Sequence, residues 1–275
     1  MWAFATELAG DAERALDLAE RAIAVDPGVP WAHHAMAHAL IARGNDEDAL
    51  ARLQEFAPAW RRPAGSSSAT TRWHLASWHL DQLDPHGAER LFRDVVWGVD
   101  PGMVGEQIDA ISLLWRRELA GWEVEDERWD DIADHAERHV GECFMPFLSA
   151  HHAYALARAG RTDALDELLA GVQRRAEAPD PEAERVWRPV GASVVRACAT
   201  HGRGDAARAT ELLEPVMGKL TAIGGSDAQN DLFRQAYLSG LIASGRTAEA
   251  RRYWARMTAW KSATSALDDA WLDRI

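Results

Sequence analysis

The run Trp31-Ala32-His33-His34-Ala35-Met36-Ala37-His38 sets two imidazoles four residues apart. On a helix this spacing places Trp31, His34 and His38 on one face and turns His33 aside. Neutral imidazoles do two kinds of chemistry, proton transfer and metal ligation. A zinc-like ion would need a third ligand from His74 or His152, with Asp109 as a further oxygen donor. No HExxH-type glutamate accompanies the pair. The sequence therefore assigns no metal and no cofactor, and reads His34, His38, His74, His152 and Asp109 as a catalytic set for proton transfer or ligand orientation. Histidines that are hydrogen-bonded in a helical core, or that only contact a ligand, are the plainer alternative.

Other polar side chains interrupt apolar helical stretches. Thr71-Arg72-Trp73-His74 carries an aromatic next to an imidazole, and Asp109 to Arg116 brings a carboxylate, Ser112, Trp115 and a guanidinium onto one stretch. Asp109 and Arg116 lie two turns apart, which also suits pairing with neighbouring helices. Ser226 to Asp231 reads as a helix start, with Ser226 as the N-cap and Gln229 and Asp231 close to the free amides. Trp31, Trp73 and Trp115 are expected to wall a ligand site, and Ser112, Arg116, Gln229 and Asp231 to contact the ligand.

The elements that carry these residues repeat. A turn glycine followed about five places later by a small residue recurs: Gly10 with Ala15, Gly44 with Ala49, Gly204 with Ala209 and Gly245 with Ala250. Leu83 with Ala88 and Gly160 with Leu165 fit the same scheme, and Ala120-Gly121 marks a further turn. Glycine supplies the positive φ that ends one helix, and the small residue lets two helices approach closely. Units of this kind cover their apolar faces by stacking. The chain is thus expected to be all-α, a right-handed α-α superhelix resembling the tetratricopeptide repeat (TPR-like), with about six to seven helix pairs. It reads as one helical-repeat domain over residues 1–275, with loops at 62–70 and 177–184 as insertions. In a tetratricopeptide unit the first helix of each pair lines the concave face, where Trp31, His34 and His38 would sit. A final helix is expected over 263–275, with Leu267, Trp271 and Ile275 at four-residue spacing.

Composition narrows the partners. The chain has 275 residues and a net charge of −13, which disfavours nucleic acid and anionic membrane as partners. Cys143 and Cys198 are far apart and lack CxxC spacing, so neither a disulfide framework nor a cysteine zinc site is available. The N-terminal run reads as neither a signal peptide nor a membrane span, and a reducing cytoplasm is expected. Basic residues are nearly all arginine, with lysine only at 219 and 261, and alanine is abundant, a bias typical of GC-rich bacterial coding. The short first helix, with Trp2, Phe4 and Leu8, is expected to expose an apolar end that pairs two copies as a homodimer.

Five ordered stretches resemble the tetratricopeptide repeat protein 38 family over nearly the whole chain. They are WAHHAMAH at 31–38, WHLASWHL at 73–80, DAISLLWRREL at 109–119, HAYALARAGR at 152–161 and GGSDAQND at 224–231. The family's last motif has His and Arg where Asp227 and Asn230 stand, and its His-Asn before the tryptophan–histidine motif is replaced around Thr70, Thr71 and Arg72. Family members are longer at the N-terminus. The family carries no assigned reaction, so the resemblance implies a site more than a function. The expected function is a small-molecule-binding protein whose His/Asp pocket is open to use as an enzyme of specialised metabolism. The alternative is an adaptor that grips a peptide in its groove.

Overall fold

The computed structural model describes residues 2–43, 45–57, 65–259, 261 and 264–275. Among these the chain is all-α and TPR-like, with no strand. Chain contacts gather into two compact units, Met1–Asp109 with Trp260–Asp269, and Ala110–Ala259 with Ala270–Ile275.

The first unit begins with α1 (Trp2–Leu8), α2 (Ala12–Val25), α3 (Pro30–Ala42) and α4 (Asp46–Phe56). Asp11 caps α2 by accepting a hydrogen bond from the Arg14 N–H at 3.1 Å. Pro30 opens α3, where its fixed φ suits the first helical position and its missing N–H costs nothing. Next come α5 (Gly65–Asp81), α6 (Pro85–Leu91), a π-helical stretch Phe92–Val96, and α7 (Val104–Ala120), whose second half belongs to the other unit. From α1 to α6 each helix packs on the next, and α3 also packs against α1 and α5. Those two contacts build the candidate site. The Glu106 carboxylate accepts the N–H groups of Gly98, Val99 and Asp100, at 2.7, 2.9 and 2.7 Å, and so pins the turn that leads into α7.

The second unit contains α8 (Asp126–Ala136), α9 (Pro146–Arg158), α10 (Thr162–Glu177), a π-helical stretch Ala183–Gly191, and α11 (Ala192–Gly202). It continues with α12 (Ala206–Leu213), a 3-10 stretch Glu214–Ile223, α13 (Asp227–Ala243) and α14 (Thr247–Thr258). The closest helix partnership is α9 against α11. Gly202 makes it possible, because a Cβ there would sit 2.6 Å from the Tyr154 carbonyl oxygen. The Glu118 carboxylate ties α7 to α8 and α9, accepting from Trp129 Nε1 at 3.0 Å, the Tyr154 hydroxyl at 2.6 Å and Arg158 Nε at 2.9 Å.

The turns fall where glycine spacing puts them. Gly10, Gly121, Gly160, Gly204 and Gly245 all have positive φ, between 68° and 94°. Leu83 takes the same role at φ 55° despite its Cβ. Gly44 lies outside the described residues. The small residues after the turns, Ala15, Ala49, Ala88, Ala209 and Ala250, are all buried, as is Leu165. The last helix, α15 (Ala266–Asp273), buries Leu267 and Trp271.

Three expectations need correction. Residues 62–64 lie outside the described residues, but helix α5 already starts at Gly65, so the loop read at 62–70 is largely helical. The stretch 177–184 is shorter as a loop than expected, because α10 runs to Glu177 and π-helix resumes at Ala183. Phe4 is not an exposed end: it packs edge-on against His34 and His38, with ring centroids 5.1 and 5.6 Å away. Trp2 is exposed as read, at 73%.

Candidate functional site

In the first unit, α3 presents His34 and His38 to α5, which presents His74. Their Nε2 atoms form a triangle, with His34–His38 at 2.9 Å, His38–His74 at 2.9 Å and His74–His34 at 3.3 Å. All three imidazoles are buried, between 3% and 8% exposed. Trp31 stacks on His34 at 5.5 Å and 13°, and Trp73 lies edge-on to His74 at 4.7 Å. With Phe4 of α1, these rings make an aromatic shell around three inward-facing nitrogens. His33 is turned aside as read and stacks on Phe56 of α4 at 3.9 Å.

Hydrogen bonding among the three nitrogens does not account for this geometry. Each N–H···N contact needs one proton between two nitrogens, and an imidazole N–H lies in the ring plane and points one way. A triangle of Nε2 atoms therefore satisfies at most two contacts, and one of those is poorly aligned. Protonating the cluster is worse, since positive charges would sit about 3 Å apart in a dry site. Burial, and then the charge of His38, hold the His34 pKa well below the ordinary histidine value, so His34 stays neutral with a lone pair to give. A cation that accepts all three lone pairs is the occupant that satisfies every nitrogen at once.

The outer side of the cluster is also informative. Glu7 on α1 places Oε2 3.6 Å from His38 Nδ1, with its side chain 16% exposed. That oxygen is shut off from solvent and has no hydrogen-bond partner, and the same holds for His34 Nδ1. The sequence reading missed Glu7. The available signal was its three-residue spacing from Phe4, which puts both on the face of α1 that meets α3.

The remaining candidates lie on α7, α9 and α13. Asp109 is buried on α7. His152 lies in the second unit, buried and stacked on His139 at 5.6 Å, and burial depresses its pKa to about 3. Its neighbour His151 is fully enclosed; its Nδ1 donates to the Phe147 carbonyl at 2.8 Å, and burial lowers its pKa to about 4. Trp115 is a core ring, stacked 3.7 Å from Tyr154. Arg116 donates from Nη2 to the Ala228 carbonyl at 2.8 Å and sits 3.7 Å from Asp231, anchoring the start of α13. Gln229 completes a capping box with Ser226, its Oε1 accepting the Ser226 N–H at 2.9 Å. Ser112 is buried on α7. The structure thus brings together His34, His38 and His74 with the rings of Trp31 and Trp73, while Arg116, Gln229 and Asp231 hold one helix start.

A family model for the tetratricopeptide repeat matches residues 8–59. That stretch includes α2 and α3, and with them His34 and His38. Among the described residues, no helix is long and apolar enough to cross a membrane.

Proposed function

We propose that this helical-repeat protein is a metal-dependent small-molecule-binding protein whose divalent transition metal is held by His34, His38 and His74. The triangle of Nε2 atoms carries the reading. Imidazole–metal bonds run about 2.0–2.1 Å, so three nitrogens 2.9–3.3 Å apart would all lie within reach of one ion. Three protein ligands leave at least one position for an exogenous donor, as in catalytic rather than structural zinc sites. All-imidazole ligation suits zinc, copper, iron or nickel. A small molecule bearing an oxygen or nitrogen donor is the ligand such a position takes.

This reading replaces the proton-transfer role drawn from the sequence for these three histidines, because lone pairs given to a metal are not free to carry protons. It requires nothing of Asp109 or His152. The resemblance to the tetratricopeptide repeat protein 38 family supports it in one respect: two of the quoted motifs carry the three ligands. The tetratricopeptide match favours a second reading, an adaptor that holds a peptide, and such a protein has no need of three buried imidazoles inside an aromatic shell.

The test is titration of chelator-stripped protein with Co²⁺ and Zn²⁺. One equivalent of each is expected to bind, with ligand-field bands from Co²⁺. His34→Ala and His74→Ala should each abolish binding while His152→Ala keeps it, with helicity checked by circular dichroism. Absence of stoichiometric binding, or binding indifferent to both cluster variants, refutes the metal and leaves the adaptor.

A further inference from the structure

Resting on that metal reading, we infer that Glu7 is a positioning residue for the site: its carboxylate accepts a hydrogen bond from the Nδ1–H of His38, fixes Nε2 as the metal-bound nitrogen and sets how tightly the metal is held. A neutral imidazole carries one proton. If His38 Nε2 gives its lone pair to an ion, the proton stands on Nδ1, and Nδ1 faces Glu7 Oε2 at 3.6 Å. That oxygen is enclosed and has no hydrogen-bond donor, so it is the acceptor placed to receive a hydrogen bond from a proton on Nδ1. The gap exceeds a hydrogen bond by a few tenths of an ångström, and a small inward shift of α1 closes it.

Charge points the same way. Three neutral imidazoles and a divalent ion place two positive charges in a dry aromatic shell, and one carboxylate against the ligand ring halves that net charge. The carboxylate also raises the basicity of the ring it bonds. His34 Nδ1 has no such partner, so of the two ligands on α3 the assistance goes to His38. Because Glu7 and Phe4 both lie on α1, the first helix becomes part of the site. Metal occupancy is thereby linked to the docking of residues 2–8.

The experiment measures Co²⁺ and Zn²⁺ affinity by chelator competition for the wild type, Glu7→Gln and Thr6→Ala. Loss of an outer carboxylate typically weakens metal binding about 10–100-fold, and Glu7→Gln is expected in that range, still at one equivalent. Its metal-free unfolding midpoint should match the wild type, because no hydrogen bond is lost. Thr6→Ala alters the same helix outside the aromatic shell, at a hydroxyl that donates to the Trp2 carbonyl at 2.9 Å, and its metal affinity should fall less than threefold. Amide exchange of α1 should slow when metal is added to the wild type and slow less in Glu7→Gln. Affinity of Glu7→Gln within twofold of the wild type, or an equal loss in Thr6→Ala, overturns the role of Glu7 while leaving the three-histidine site standing. A wild type that binds no metal overturns both.

Discussion

Lowering the pH from 7.5 to 5 is expected to destabilise the second unit severely, because it holds three histidines that must stay neutral: His151 and His152 are buried, and His201 is half-buried with both ring nitrogens enclosed. Burial depresses the pKa of His151 to about 4, that of His152 to about 3 and that of His201 to about 4. An unfolded histidine titrates near 6.5. Between that value and the folded one, the unfolded chain binds the extra proton, so stability is complete above about pH 6.5 and declines as pH falls towards the folded pKa. At pH 5 each of these histidines costs about 2 kcal/mol, on the order of 6 kcal/mol together. Whole domains are stable by only about 5–15 kcal/mol. Carboxylates with lowered pKa, such as Glu249 beside Arg246, act only at lower pH and do not obscure the effect. The assay is urea unfolding followed by near-ultraviolet circular dichroism at a series of pH values. His201→Phe supplies the internal control: neither ring nitrogen has a hydrogen-bond partner outside its own residue, and the ring packs 5.3 Å from Trp115 and 5.9 Å from Tyr154. This variant should remove about a third of the pH dependence while changing stability little at pH 7.5. A urea midpoint that is the same at pH 7.5 and pH 5, or a His201→Phe profile superimposable on the wild type, refutes the reasoning.

Two further outcomes follow from packing and backbone. Glu118→Ala removes the acceptor shared by Trp129, Tyr154 and Arg158 and leaves buried donors unpaired, so a loss of about 2–4 kcal/mol in chemical denaturation is expected. Leu83 adopts φ 55°, where an L-residue carries about 1–2 kcal/mol of strain; glycine relieves it but loses about 0.5–1 kcal/mol to chain entropy. Leu83→Gly should therefore leave the melting temperature unchanged or raise it, and a clear fall would contradict the assignment of this turn.

The helical repeat was legible because its signals are local. Helix termination needs positive φ and close helix approach needs a missing side chain, and both conditions name residue types at fixed spacing, as at Gly204 with Ala209 or Gly245 with Ala250. The face shared by Trp31, His34 and His38 followed from the helical period alone. Phe4 and Glu7 were not legible in the same way. Read alone, a seven-residue helix with two aromatics looks like an unfinished end, and only its packing against α3 turns that face towards the histidines.

By itself the sequence determined which segments are helices, where they turn, and that two imidazoles share a face, because each of these depends on neighbours within a few residues. Tertiary structure decided which residues meet: His74, thirty-six residues beyond His38, joins the pair because α5 packs on α3, and Glu7 reaches it because α1 does. The same packing left Gln229 capping its own helix and Arg116 bound to a carbonyl of residue 228. Residue type offers an imidazole several uses, and only its three-dimensional surroundings select one.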